Sequence, residues 1–132
     1  PALVMQEGVE PLGWLVGYAA GACAPQHFLE APVHVTRALL AALGAAGNRM
    51  PLRLVEVNEA FALQLGLFEH EFPRAGVNIH GGAVALGHPL GAGGARILVT
   101  LLYALRSVGG GLGIATICYG GGGAYALAVR TP

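Results

Sequence analysis

Four consecutive glycines, residues 120–123, lie inside a charge-free stretch, residues 108–129, and constrain what this chain can become more than any other feature. A charge-free run of that length invites a membrane helix, which needs about 20 continuous apolar residues. Eight of its residues are glycine, however, and each weakens a helix by about 1 kcal/mol relative to alanine. The run therefore reads as two buried strands, residues 114–118 and 125–129, joined by a glycine turn. No membrane span is expected.

The residues before the hairpin alternate between strand and helix signals. Trp14, Val16 and Tyr18 occupy alternate positions within residues 12–22, a strand period. Pro32 then opens a helical pattern through Val35, Ala38, Leu39 and Ala42 that stops at Gly47 and Asn48. Residues 52–57 form a short strand that leads into the helix-favouring residues 59–63. A loop rich in glycine, residues 76–94, feeds a further helix over residues 95–105. The order is β-α-β-α-loop-α-β-β. It predicts an α/β fold: one domain over residues 1–132, with a mixed sheet between helical layers. The sheet should be mainly parallel, the closing hairpin adding one antiparallel neighbour.

Composition excludes several functions. The chain has no Lys, no Asp and a single Ser, Ser107. It therefore lacks the Lys of a pyridoxal Schiff base or a phosphate-binding Walker loop, and the Ser context of a hydrolase elbow. Formal net charge is zero, so nucleic acid finds no electrostatic attraction. Cys23 and Cys118 are too far apart in sequence for a disulfide framework or a zinc site, so no metal is expected and a reducing, cytoplasmic setting is favoured. Only 11% of residues are charged, against about 25% in an ordinary soluble domain. Part of the apolar surface should meet a partner.

Three segments sit at strand ends or helix starts, where α/β sheets gather ligands: residues 57–61, 81–91 and 118–122. Asn58 suits a helix N-cap as well as a functional role. His88, between Gly87 and Pro89, has its backbone approachable on one side and fixed on the other; it is either a loop histidine or a base of near-neutral pKa. Cys118 ends an apolar strand and is either core packing or a sulfur exposed by the glycines after it, whose amides can hold an oxyanion. Cys23, His27, His34 and His70 have no such setting and read as structural.

Taken together, the Asn58-Glu59-Ala60-Phe61 segment, the Gly87-His88-Pro89 loop and the Cys118-Tyr119-Gly120-Gly121-Gly122 hairpin resemble the C-terminal half of thiolases, the family of acyl-CoA acyltransferases. The resemblance starts at the Ala2-Leu3-Val4 segment, covers essentially the whole chain, and implies a thiolase-like half, α-β-α layered, with a mixed, five-stranded type of sheet ending in an antiparallel hairpin. It implies thiolytic cleavage or Claisen condensation of acyl-CoA thioesters. Coenzyme A thioester is then the substrate, and no separate cofactor is needed. By the same resemblance, Cys118 handles the α-proton of one acyl group, and His88 activates a nucleophilic cysteine and helps bind a thioester oxygen. Asn58 holds a water in that oxyanion hole, and the amide of Gly120 contributes to a second one. Phe28, Phe61 and Gly87 are placed at the substrate by analogy.

The sequence departs from the family's usual pattern at His80, Gly93 and Ala124, none of them among these residues. The nucleophile-bearing half has no counterpart among residues 1–132. The resemblance therefore implies a domain that is inactive alone and pairs with an N-terminal thiolase half or an oligomeric partner. A second reading is a catalytically silent module that binds acyl-CoA or a protein through the same surface.

Overall fold

The structure, a computed structural model, describes Val4 and residues 6–132. Ala2 and Leu3, where the resemblance begins, lie outside the described residues. The elements are β1 (Trp14–Ala22), a 3-10 turn (Pro25–His27), α1 (Ala31–Ala45), β2 (Leu52–Val57), α2 (Leu63–Glu71), β3 (Gly76–Val77), α3 (Ala83–Leu86), α4 (Gly93–Ser107), β4 (Gly111–Tyr119) and β5 (Gly123–Thr131).

The five strands form one mixed sheet in the order β1-β5-β4-β2-β3. β2 runs parallel to β3 and to β4, whereas β5 runs antiparallel to both β4 and β1. The sheet is therefore half antiparallel, where the sequence led us to expect one such neighbour. The cause is topological: the glycine turn brings β5 back between β4 and β1, so the edge strand also meets a reversed partner.

Period-two alternation decides which helix covers which face. Ile114, Ala126 and Ala128 pack with Val35, Leu39 and Leu43 of α1. Val55 and Val57 join the same face, where they meet Val33 of α1 and Phe68 of α2. Leu54, Ala115 and Val129 turn to the opposite face against Ile97, Leu101 and Leu105 of α4. Gly113 is required there, since a Cβ would approach Leu101 and Leu105 to 2.8 Å. The result is the expected helix-sheet-helix sandwich.

The layers are not equally complete. On its face of the sheet α4 covers β2 and β4, and leaves Tyr18, Tyr119 and Tyr125 beyond it exposed. In β1 the register shifts between Leu15 and Gly17, so the alternation read from the sequence is broken: Val16 packs on the core and Tyr18 is 77% exposed.

Two local expectations change. The helix expected over residues 59–63 begins only at Leu63, and its N-cap position is Ala62, so Asn58 is not a helix cap. Within the glycine-rich loop the chain forms the two-residue β3 and the single-turn α3, both too short to show a periodicity in sequence.

Candidate active site

β2 and β4 are adjacent and parallel, with Val57 opposite Thr116. Asn58 follows the C-terminal end of β2 and Cys118 lies near that of β4, and the Asn58 N–H donates to the Thr116 carbonyl at 2.9 Å. This is the edge of a parallel sheet at which loops converge on a ligand.

Buried polar groups bring the third segment to that edge. Asn78, with φ 44°, sits just past β3. Its side-chain oxygen accepts the Val57 N–H at 2.8 Å, and its amide donates to the Val57 carbonyl at 2.9 Å and to Glu59 at 2.6 Å. The other Glu59 oxygen accepts the Val84 N–H at 2.9 Å, in the first turn of α3. Gly82 makes this approach possible, because a Cβ there would overlap the Glu59 carboxylate. Gly87, at φ 91°, then ends α3 in a conformation that side chains disfavour and directs the chain into His88.

His88 meets Asn58 with 3.3 Å between imidazole Nε2 and the amide nitrogen Nδ2. The Asn58 oxygen lies 3.4 Å from the Arg96 guanidinium. A guanidinium only donates, so the amide oxygen belongs on the Arg96 side and the NH2 on the His88 side. In this arrangement Nε2 is the acceptor, and its single lone pair points at the Asn58 amide. Gly93, at the start of α4, closes the cluster: a Cβ there would lie 3.6 Å from His88 Cε1, 3.7 Å from Asn58 Oδ1 and 3.4 Å from Ile117. Ile117 directly precedes Cys118 near the C-terminal end of β4.

Cys118 is 9% exposed, and its sulfur lies 3.2 Å from the Gln64 amide nitrogen. Gly120 follows at an exposed position with open space around it, and Gly121 and Gly122 adopt φ 92° and 96°. The Phe28 and Phe61 rings meet edge-to-face with centroids 5.8 Å apart. Behind Asn58, Glu56 faces α4 with 1% exposure, and burial pushes its carboxyl up to about 7 despite the opposing charge of Arg96.

The structure thus brings Asn58, His88 and Cys118 to one edge and pairs Phe28 with Phe61. Gln64, Glu59, Asn78 and Arg96 were not anticipated as site residues. Cys23 donates to the His27 carbonyl, His27 and His34 flank Glu30 at the surface, and His80 is exposed. A surface cleft of about 370 Å³, lined in part by Leu40, Pro51, Leu52 and Phe72, lies at the start of β2, the end remote from Asn58.

Comparison with known proteins identifies the family. Residues 9–131 match the family described as the C-terminal domain of thiolase. The chain is 46% identical over 129 residues to an acetyl-CoA acetyltransferase of Chromobacterium violaceum, covering 96% of this chain and 32% of that protein. To the Escherichia coli acetyl-CoA acetyltransferase it is 43% identical over 126 residues, covering 93% and 31%. Among solved structures it resembles an Ascaris suum thiolase in complex with coenzyme A, with a TM-score of 0.84 and 40% identity over 100% of this chain and 34% of that one. The Bacillus anthracis acetyl-CoA acetyltransferase gives a TM-score of 0.86 at 35% identity, covering 98% and 33%. The chain spans about a third of the length of these relatives. Its sequence, sheet and layer arrangement agree in placing it: the chain belongs to the thiolase family, as a C-terminal thiolase domain.

Proposed function

We propose that this domain supplies the proton-transfer half of a thiolase-type acyltransferase acting on acetyl-CoA or a related coenzyme A thioester. The reading is carried by one juxtaposition: Asn58 and Cys118 end adjacent parallel strands, with His88 held against Asn58 at 3.3 Å. Relatives named acetyl-CoA acetyltransferase, and one solved with coenzyme A, support the substrate class.

The chemistry follows from the atoms present. The Nε2 lone pair of His88, released from the Asn58 amide, takes the proton from a nucleophilic thiol supplied by the N-terminal half; the thiolate attacks the carbonyl carbon of a first acyl-CoA, and coenzyme A leaves as a thiolate that solvent protonates. The Cys118 sulfur removes a proton from the α-carbon of a second acyl-CoA; the C–H pair moves toward the thioester oxygen as an enolate. Protonated Nε2 then donates to that oxygen, with Asn58 beside it. Attack of the α-carbon on the acyl-enzyme creates a second oxyanion, for which the Gly120 amide is the donor; its collapse expels the nucleophilic thiolate, which recovers its proton from Nε2. Preorganised donors of this kind each contribute about 3 kcal/mol. Phe28 and Phe61 form an apolar wall for the acyl group, and Gly87 leaves room for the thioester beside His88.

An N-terminal thiolase half is the partner, docked against the face that α4 leaves open. The exposed Tyr18, Tyr119 and Tyr125 and the length of the relatives support that placement. Two free cysteines suit a reducing, cytoplasmic compartment. Among the described residues no helix is long and apolar enough to cross a membrane.

The test is acetoacetyl-CoA thiolysis by this chain mixed with an N-terminal thiolase half. Activity is expected only in the mixture, and Cys118→Ala or His88→Ala should lower it at least about a hundredfold. Full activity in either variant, or in this chain alone, overturns the reading.

A further inference from the structure

Gln64 is 0% exposed and sits in the first turn of α2, where its amide spans two segments of the site. Its oxygen accepts the Phe61 N–H at 3.3 Å, and its nitrogen approaches the Cys118 sulfur at 3.2 Å. A backbone N–H can only donate, so the amide oxygen must face Phe61 and the NH2 must face the sulfur. The orientation is therefore fixed at both ends.

A buried amide costs free energy unless its hydrogens find acceptors. A neutral thiol is a weak acceptor, whereas a hydrogen bond to an ionised partner is about twice as strong as a neutral one. An amide aimed at a sulfur in a low-dielectric setting is thus matched to the charged form of that sulfur. Plain core packing would favour an apolar side chain at this position, as at neighbouring Phe68.

We propose that Gln64 is a positioning residue for Cys118: its side-chain amide, oriented by the Phe61 backbone, fixes the sulfur and stabilises the negative charge it carries before it takes up the α-proton. The step is a proton transfer only. The Cys118 thiolate gains the proton, the α-carbon keeps the C–H electron pair, and the amide bond to sulfur weakens as the charge leaves. The same N–H of Phe61 belongs to the residue whose ring packs on Phe28, so the wall beside the acyl group and the orientation of the sulfur are mechanically connected.

This inference rests on the reading of Cys118 as an acid-base residue, and its test avoids turnover. The rate of iodoacetamide alkylation is followed at each cysteine by peptide mass spectrometry, from pH 6 to 9, in the wild type, Gln64→Met and Gln64→Glu. Gln64→Met keeps volume without a donor; Gln64→Glu keeps the acceptor for Phe61 and removes the donor. Cys118 alkylation at pH 7.5 should slow about tenfold in both, with its rising limb moved to higher pH, while Cys23 reacts at its original rate. Cys23 also reports folding: a variant in which its rate changes is set aside and the other decides. Wild-type alkylation of Cys118 in a folded variant overturns this inference alone. Full thiolysis by Cys118→Ala would instead overturn the reading of the site.

Discussion

Glu56 offers a quantitative check on the site, because its ionisation couples the stability of the sheet to pH. It projects from β2 toward α4, 1% exposed, with Oε1 lacking a hydrogen-bond partner among the described residues. Burial raises its carboxyl from 4.5 to about 7; Arg96 pulls the value down and Glu59 pushes it further up. In the unfolded chain the group ionises near 4.5, so between pH 4.5 and 7 the folded state holds more protons. Stability from this group is therefore fully present below about pH 4.5 and is lost as pH rises through 7. The interval corresponds to about 3 kcal/mol at 1.36 kcal/mol per unit. Glu56→Gln mimics the protonated form at every pH. Urea unfolding followed by circular dichroism should give nearly equal stability for the two proteins at pH 4.5. By pH 8 the variant should be ahead by up to about 3 kcal/mol. A difference that stays flat from pH 4.5 to 8 would refute the argument that burial holds this carboxyl protonated.

Two further substitutions probe the surroundings of that group. Arg96→Leu removes the charge that lowers the Glu56 value, so the midpoint of the same pH dependence should move above about 7; an unchanged midpoint would show that the two groups do not interact. Gly82→Ala places a methyl group against the Glu59 carboxylate and 2.7 Å from the Asn78 amide, and should cost about 1–3 kcal/mol in urea unfolding, as overpacking does. A loss below about 0.5 kcal/mol would show that the loop gives way instead of being clamped.

The sequence carried the layer architecture because each element has a local signature. Residues 52–57 read as a strand and are one, and the glycine tetrad marks the β4–β5 turn. It was silent where structure depends on contacts distant in sequence. Whether β5 lies inside or outside the sheet decides the direction of the β1 pairing, and no residue of β1 encodes that. Asn58 shows the same limit in the site: cap and active-site roles use the same chemistry, and only the position of His88, 30 residues away, separates them. Gln64, Glu59 and Asn78 were missed because polar residues beside a helix start or loop look solvent-facing. Their signal was present in composition. In a chain with so few charges, Glu56, Asn58, Glu59 and Gln64 crowd into nine positions beside an apolar strand, a density that solvation alone does not call for.

The central claim is that Cys118 moves the α-proton while the acyl-accepting thiol lies in another part of the enzyme. The most direct measurement is the loss of deuterium from the methyl group of deuterated acetyl-CoA, followed by mass spectrometry with this chain and an N-terminal thiolase half together. Exchange with solvent is expected in the complete mixture. Cys118→Ala should abolish that exchange, yet still permit acylation of the N-terminal half, read as release of one equivalent of coenzyme A. Wild-type exchange in Cys118→Ala would contradict the account.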